Sequence, residues 1–338
     1  YGIAADNNFY MTNHQDLIFV PEIELKDNQR MAEENPVRVE VERAVAKVVV
    51  SGVPEVVPHG DRIDNLKWGL DVTNQYTYWM RKMTFIANSG GVPGEMEQLN
   101  SGYREERYAE DPNFTGFSAW NGGNPAGQFE YLSGTPELTK DFDDYDYTLE
   151  NTMEAVEQRH DVTTRVVISG TYTPNGFGSV ATRNSGGISF YYFKGNAIRV
   201  EAMRDMVNDR NLIPQELRDA GLEQAINDVL AWNPNAFNSP TASFSVGGLN
   251  FYYEGVCYYT VLIRHFSNNM VPVLMGYGRY GVVRNNVYQL SINKIIGPGQ
   301  PVINPPGTDP DDEDTSWISA DVNIMRWYIR NQNVEELL

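Results

Sequence analysis

The sequence has one cysteine, few positive charges and no long apolar run. A single cysteine, Cys257, excludes an internal disulfide framework, so packing must hold the fold. Lys and Arg number 26 against 45 Asp and Glu, a net charge of −19. Phosphate backbones and anionic membrane surfaces repel such a chain, so nucleic acid is excluded as a partner. No apolar stretch reaches the roughly 20 residues of a membrane-spanning helix, and no signal peptide opens the chain. The mature form is therefore expected not to be membrane-embedded. The four histidines, His14, His59, His160 and His265, are scattered without metal-ligand spacing. Neither a G-x-S-x-G elbow nor a phosphate-binding loop occurs. No cofactor and no metal are expected, and no catalytic residue is assigned.

What the chain has is aromatic and β-branched residues between turn formers. Aromatics make up 12%, with 29 Gly and 18 Pro, a mixture suited to strands and many turns. "PVRVEVERAVAKVVV" alternates Val37, Val39 and Val41 against Arg38, Glu40 and Glu42, as a half-buried strand does. "TTRVVISGTYTP", "GISFYYF", "FYYEGVCYYTVLIRHF" and "NNVYQLSINKII" read as further strands. "GVCYYTVLIRHF" is apolar on both faces, which predicts a central strand. The fold class expected is all-β, an antiparallel β-sandwich, with a helical insertion at about 197–232 and a detached C-terminal strand arm. There Leu217, Ala220, Leu222, Ala225, Ile226, Val229 and Leu230 form a helical stripe behind Pro214.

Motif-like stretches read as structural. "GYGRYG" at 276–281 is followed by a strand rather than a helix, so it is a turn and not a dinucleotide fingerprint. "DFDDYDY" at 141–147 gathers Asp141, Asp143, Asp144 and Asp146. It lacks the calcium-loop pattern, with Asp146 at the sixth position and Thr152 at the twelfth, and reads as a solvated loop. The acids at 309–314 read the same way. Cys257 and His265 lie in apolar strand sequence and read as inert, structural residues.

The C-terminus is the best-organised candidate. "PGQPVINPPGTDPDDEDT" at 298–315 is proline-rich and acidic, a linker of moderate stiffness. Beyond it Ile318, Ala320, Val322 and Ile324 alternate with polar residues. The phase then shifts to Met325, Trp327 and Ile329, which predicts a bulge or bend; Val334 and Leu337 continue the apolar content. Such an arm either folds back as the last strand of its own sandwich or is donated to a neighbour by β-augmentation.

Five segments in order resemble the Bacteroidetes fimbrillins, the major subunits of type V pili. They are "VEVERAVAKVVV", "YTLENTMEA" with "TTRVVISGTYTP", "YYEGVCYYTVLIRH", "YGVVRNNVYQLSINKIIGPGQP", and the arm with "ISADVNIMRW". The resemblance implies β-sandwich domains, export to the cell surface across the outer membrane, and polymerisation by strand exchange into a fimbrium. It implies that Ile318, Ala320, Val322, Ile324, Trp327, Ile329, Val334 and Leu337 contact a neighbouring subunit. It also implies a full N-terminal domain ahead of "VERAVAKV". Only about 40 residues precede that strand here, so most of that domain is expected to be missing.

The expected divisions are 1–52, the end of an N-terminal β-domain; 53–300, the C-terminal sandwich; 301–315, the linker; and 316–338, the donor arm. The function expected is a structural, non-enzymatic pilus subunit that supports adhesion. Its partners would be copies of itself or other pilus subunits, with host or bacterial surface ligands also open. The competing expectation is a carbohydrate-binding adhesin module, with Trp120 in "FSAWNGGNPAG" its best residue. A glycoside hydrolase with paired carboxylates ranks third.

Overall fold

A computed structural model describes residues 41–82, 109–117, 127–178, 187–265, 278–313 and 318–326; before residue 41 it describes 4–5, 8–13, 20–22, 26–34, 36–37 and 39. In chain order the main elements are β1 (Met11–Asn13), β2 (Val41–Arg43), β3 (Ala46–Ser51), β4 (Glu55–Val57), β5 (Arg62–Asp71), β6 (Tyr145–Thr148) and β7 (Arg165–Thr173). There follow β8 (Phe190–Phe193), β9 (Asn196–Arg199), α1 (Val200–Asn208), α2 (Gln215–Asp219) and α3 (Leu222–Trp232). The chain continues through β10 (Phe244–Val246), β11 (Leu249–Tyr252), β12 (Val256–Leu262), β13 (Asn286–Ile296) and β14 (Ile318–Arg326).

Three sheets carry the fold, as an all-β chain with a helical insertion. The first has the order β6-β3-β13-β14, with β4 also on β13. The second is β12-β7-β5, wholly antiparallel. Side chains from these two interdigitate as one core. Val48, Val50, Tyr288, Leu290 and Ile292 of the first sheet meet Trp68, Val166, Ile168, Cys257 and Tyr259 of the second, all buried. Alternation along each strand supplies this row, because successive side chains point to opposite faces.

Two pairings depart from an antiparallel plan: β3 and β4 both run parallel to β13. Ser51 and Ser291 meet across this pair although they are 240 positions apart. Gly52 joins the two parallel segments with φ +113°, and a β-carbon there would lie 2.5 Å from the Ile292 carbonyl oxygen. Only glycine accepts both the dihedral and the approach. On the other side of β13 the pairing with β14 slips between Ile292 and Lys294. Toward β14 the extra residue lies in β13, whereas toward β3 and β4 it lies in the connection that begins at Gly52.

The insertion has its own core. The third sheet, β9-β8-β11-β10, packs Tyr191, Leu249 and Phe251 against Met203, Leu222, Ile226 and Val229 of the helices. Two details differ from the sequence reading. Residues 196–199 are strand, paired with β8. The helical stripe is split at Gly221, which adopts φ +93° between α2 and α3, and Pro214 stands at the N-cap of α2 rather than inside it. Both halves keep their apolar faces on the insertion's core, so the stripe survives the break.

The prediction of a central strand at "GVCYYTVLIRHF" is corrected. β12 is an edge strand, and β7 is the centre of its sheet. β12 is apolar on its outer side because other segments cover it. Tyr258 packs there with Val167 and Ile303, flanked by Leu132 and Leu138.

Candidate subunit-contact strand

β14 forms where the sequence alternates, and its inward row matches the prediction for that stretch. Ile318 is buried, and Ala320, Val322 and Ile324 are half-buried against the main core. In antiparallel register they face Ile295, Ile292, Leu290 and Tyr288 of β13. Ser319, Asp321, Asn323 and Met325 point outward and are exposed. Asn293 Nδ2 donates to Asp321 Oδ2 at 2.8 Å on that outer side. Beneath the row, the Tyr288 hydroxyl lies 2.6 Å from His265 Nδ1 and accepts from the Val283 amide at 2.7 Å.

Two expectations need correction. The strand runs unbroken through the predicted phase shift, and the bulge lies in β13 instead. Met325 therefore falls on the exposed face, at 43% exposure. Residues 318–326 are also not detached. They pair with this chain's own β13, because the apolar row finds there a core that lacks only an edge strand. Among the described residues β14 has no second strand partner. Trp327, Ile329, Val334 and Leu337 lie outside the described residues.

The segment after β13 is attached at several points between residues 300 and 312. Gln300 and Tyr258 exchange backbone bonds of 2.8 and 2.9 Å, extending the β12 edge. Ile303 and Gly134 do the same at 2.8 and 2.9 Å. The His160 amide donates to Asp309 O, and the Asp311 amide to Gln158 O. Thr163 Oγ1 donates to Asp311 Oδ2 at 2.6 Å. Arg279 Nε donates to the Asp312 carboxylate at 2.8–2.9 Å, and the Tyr280 hydroxyl adds a bond of 2.7 Å. The reading of these acids as solvated is overturned for the pair: Asp311 is 2% exposed and the Asp312 side chain 7%. Burial pushes the Asp311 carboxyl up to about 7, against the Thr163 bond and the Arg165 charge that favour ionisation. Thr163, Gln158, Arg279 and Tyr280 carry no local sequence signal for this role. They become partners only when the chain folds.

Other candidates resolve as structural groups. Cys257 is buried with its thiol pushed up to about 12 by desolvation. Lys67 pairs with Asp141 at 2.6 Å on the acidic loop. Asp111 is enclosed by Asn74, Asn113 and the Thr152 amide, and burial pushes it up to about 7. Among the described residues no three His, Cys, Asp or Glu side chains are grouped to hold a metal ion. An open cleft of about 380 Å³ lies beside β7, lined by Asn65, Ser169, Thr171, Tyr253 and Tyr258, with Glu137 its one charged side chain. Trp120 and His14 lie outside the described residues.

Comparison with known proteins gives one family match. Residues 250–333 match the C-terminal model of fimbrillin, described as major fimbrial subunit protein type IV. The matched span contains β12, β13, the attached linker and β14. No curated protein matches the chain. Among solved structures, a fimbrilin of Porphyromonas gingivalis W83 aligns at 15% identity and TM-score 0.35, over 87% of this chain and 61% of that one. A protein of Parabacteroides distasonis ATCC 8503, described as a cell adhesion protein, aligns at 12% identity and TM-score 0.32, over 86% and 54%. The chain thus spans less than two thirds of the length of these structures. The family match thus falls on the strand pair and its linker, and residues 250–333 of this chain are fimbrillin-like.

Proposed function

We propose that this chain is a structural subunit of a cell-surface pilus, and that it polymerises by exchanging its C-terminal strand with neighbouring subunits. The observation that carries this reading is the position of β14. Among the described residues it is the last strand, it sits at a sheet edge on one neighbour, and it holds an apolar row over a core built by other strands. A second copy's residues 318–326 offer the same row to the same β13 groove, so exchange would replace each contact with an identical one. The three large side chains, Ile318, Val322 and Ile324, contribute about 1.5–3 kcal/mol each when fully buried, in either arrangement. Trp327, Ile329, Val334 and Leu337 would add contacts with the neighbour, tipping the balance toward assembly. Partners are then copies of this chain or other pilus subunits, and the role in adhesion is that of the filament it builds. The chain carries out no reaction in this reading.

The test is deletion of 316–338, read by electron microscopy and thermal melting, with a synthetic 316–338 peptide added in trans. The deletion variant should melt lower and form no filaments, and the peptide should restore its melting temperature. Filaments from the deletion variant would overturn the proposal.

A further inference from the structure

Residues 297–317 separate β13 from β14, a length that would leave a free arm much slack. The structure removes most of it. Residues 300 and 303 extend backbone pairing to Tyr258 and Gly134, and residues 309–312 are held by four further bonding groups: Gln158, His160, Thr163 and the Arg279–Tyr280 pair. The bonds to Asp312 are charge-assisted and largely buried, where loss of a partner is costly. β14 is held differently. It pairs with one strand, its outward side chains are exposed, and most of its inward row is only half-buried. Local opening begins where buried contacts are fewest.

We infer that residues 300–313 form an anchor that stays seated while β14 opens. Asp311, Asp312, Thr163, Arg279 and Tyr280 are positioning residues for the arm, since none of them lies in β14. The inference bears on assembly only through the exchange reading proposed above. The anchor itself is a property of a single chain.

Two consequences follow from chain length. Fully extended, the 13 residues 314–326 reach about 45 Å from the anchor, and the 25 residues 314–338 about 80 Å. The anchor also shortens the loop that must close for β14 to reseat, from the 21 residues 297–317 to the four residues 314–317. Closure probability scales roughly as loop length to the −3/2 power, which favours the seated strand by roughly tenfold.

Native-state hydrogen exchange of the whole chain tests this. The amides of β14 paired to β13 should exchange through a local opening. The amides of Gln300, Ile303, Asp311 and His160 should exchange only with global unfolding. If both sets open in one step, linker and strand move as a unit and the inference fails. In a Thr163→Val, Asp312→Asn variant, which leaves the pairings of Gln300 and Ile303 in place, exchange of the β14 amides should rise by up to roughly sixfold; an unchanged rate would also overturn it. These readouts need no polymer. Absence of filaments would count against the exchange reading alone, and one-step opening against the anchor alone.

Discussion

Ile318 stands directly opposite Ile295 in the β13–β14 pair, and both are buried. It is the most enclosed member of the β14 row, placed where the strand leaves the linker. Ile318→Ala should destabilise the chain by about 2–4 kcal/mol through lost burial and the cavity left behind. Asn323→Asp, on the exposed face of the same strand, should stay within about 0.5 kcal/mol. Urea unfolding of the two variants checks this; equal effects would mean that the strand does not seat with this face inward.

Gly52 ties β3 to β4 against β13. Gly52→Ala meets both a positive φ and the Ile292 carbonyl. We expect a loss of at least about 2 kcal/mol. Gly221→Ala is the control. It also has positive φ, but open space surrounds a β-carbon there, so only the dihedral cost of about 1 kcal/mol remains. Thermal melts of the two variants should rank in that order.

Glu42, Arg81, Glu150 and Arg284 form a buried cluster of balanced charge. Arg81 lies 3.1 Å from Glu42 and 3.9 Å from Glu150, and Arg284 Nε donates to Glu150 at 2.9 Å. It connects β2 to the body of the fold. Arg284→Met removes one charge and leaves Glu150 buried without this partner, at a cost of about 3–5 kcal/mol. Denaturant unfolding measures it, and a change below about 1 kcal/mol would show that the cluster is solvated.

The buried carboxyls give a pH dependence of definite sign. Asp111 and Asp311 are both pushed up to about 7 by desolvation, whereas in the unfolded chain each ionises near the ordinary value of about 4. Between those values the folded chain keeps protons that the unfolded chain has lost. Their contribution is therefore full below about pH 4 and is lost as pH rises through about 7. Each group changes the stability by at most about 1.4 kcal/mol per pH unit. Asp312 and Asp161 oppose ionisation of Asp311 and Arg165 favours it. Asp311→Asn should make the decline between pH 4 and 7 shallower, as followed by chemical denaturation at each pH. An unchanged slope would show that Asp311 is ionised throughout.

Local pattern alone determined which residues of β14 face inward over 318–324, because period-two alternation is a property of neighbouring residues. The same holds for the helical stripe from Leu217 to Leu230, whose apolar face persists on both sides of Gly221. The family resemblance is also legible in the sequence, carried by five short segments in order, "YGVVRNNVYQLSINKIIGPGQP" among them. Only the tertiary structure decided that Ser51 meets Ser291 in a parallel pair, that β12 is an edge strand covered by the linker, and that Asp311 and Asp312 are buried. An acid-rich, proline-rich run looks solvated wherever its partners are unknown. Thr163 and Arg279 stand far from it in sequence, and the balance between hydrating a carboxylate and burying it depends on groups that only folding brings together.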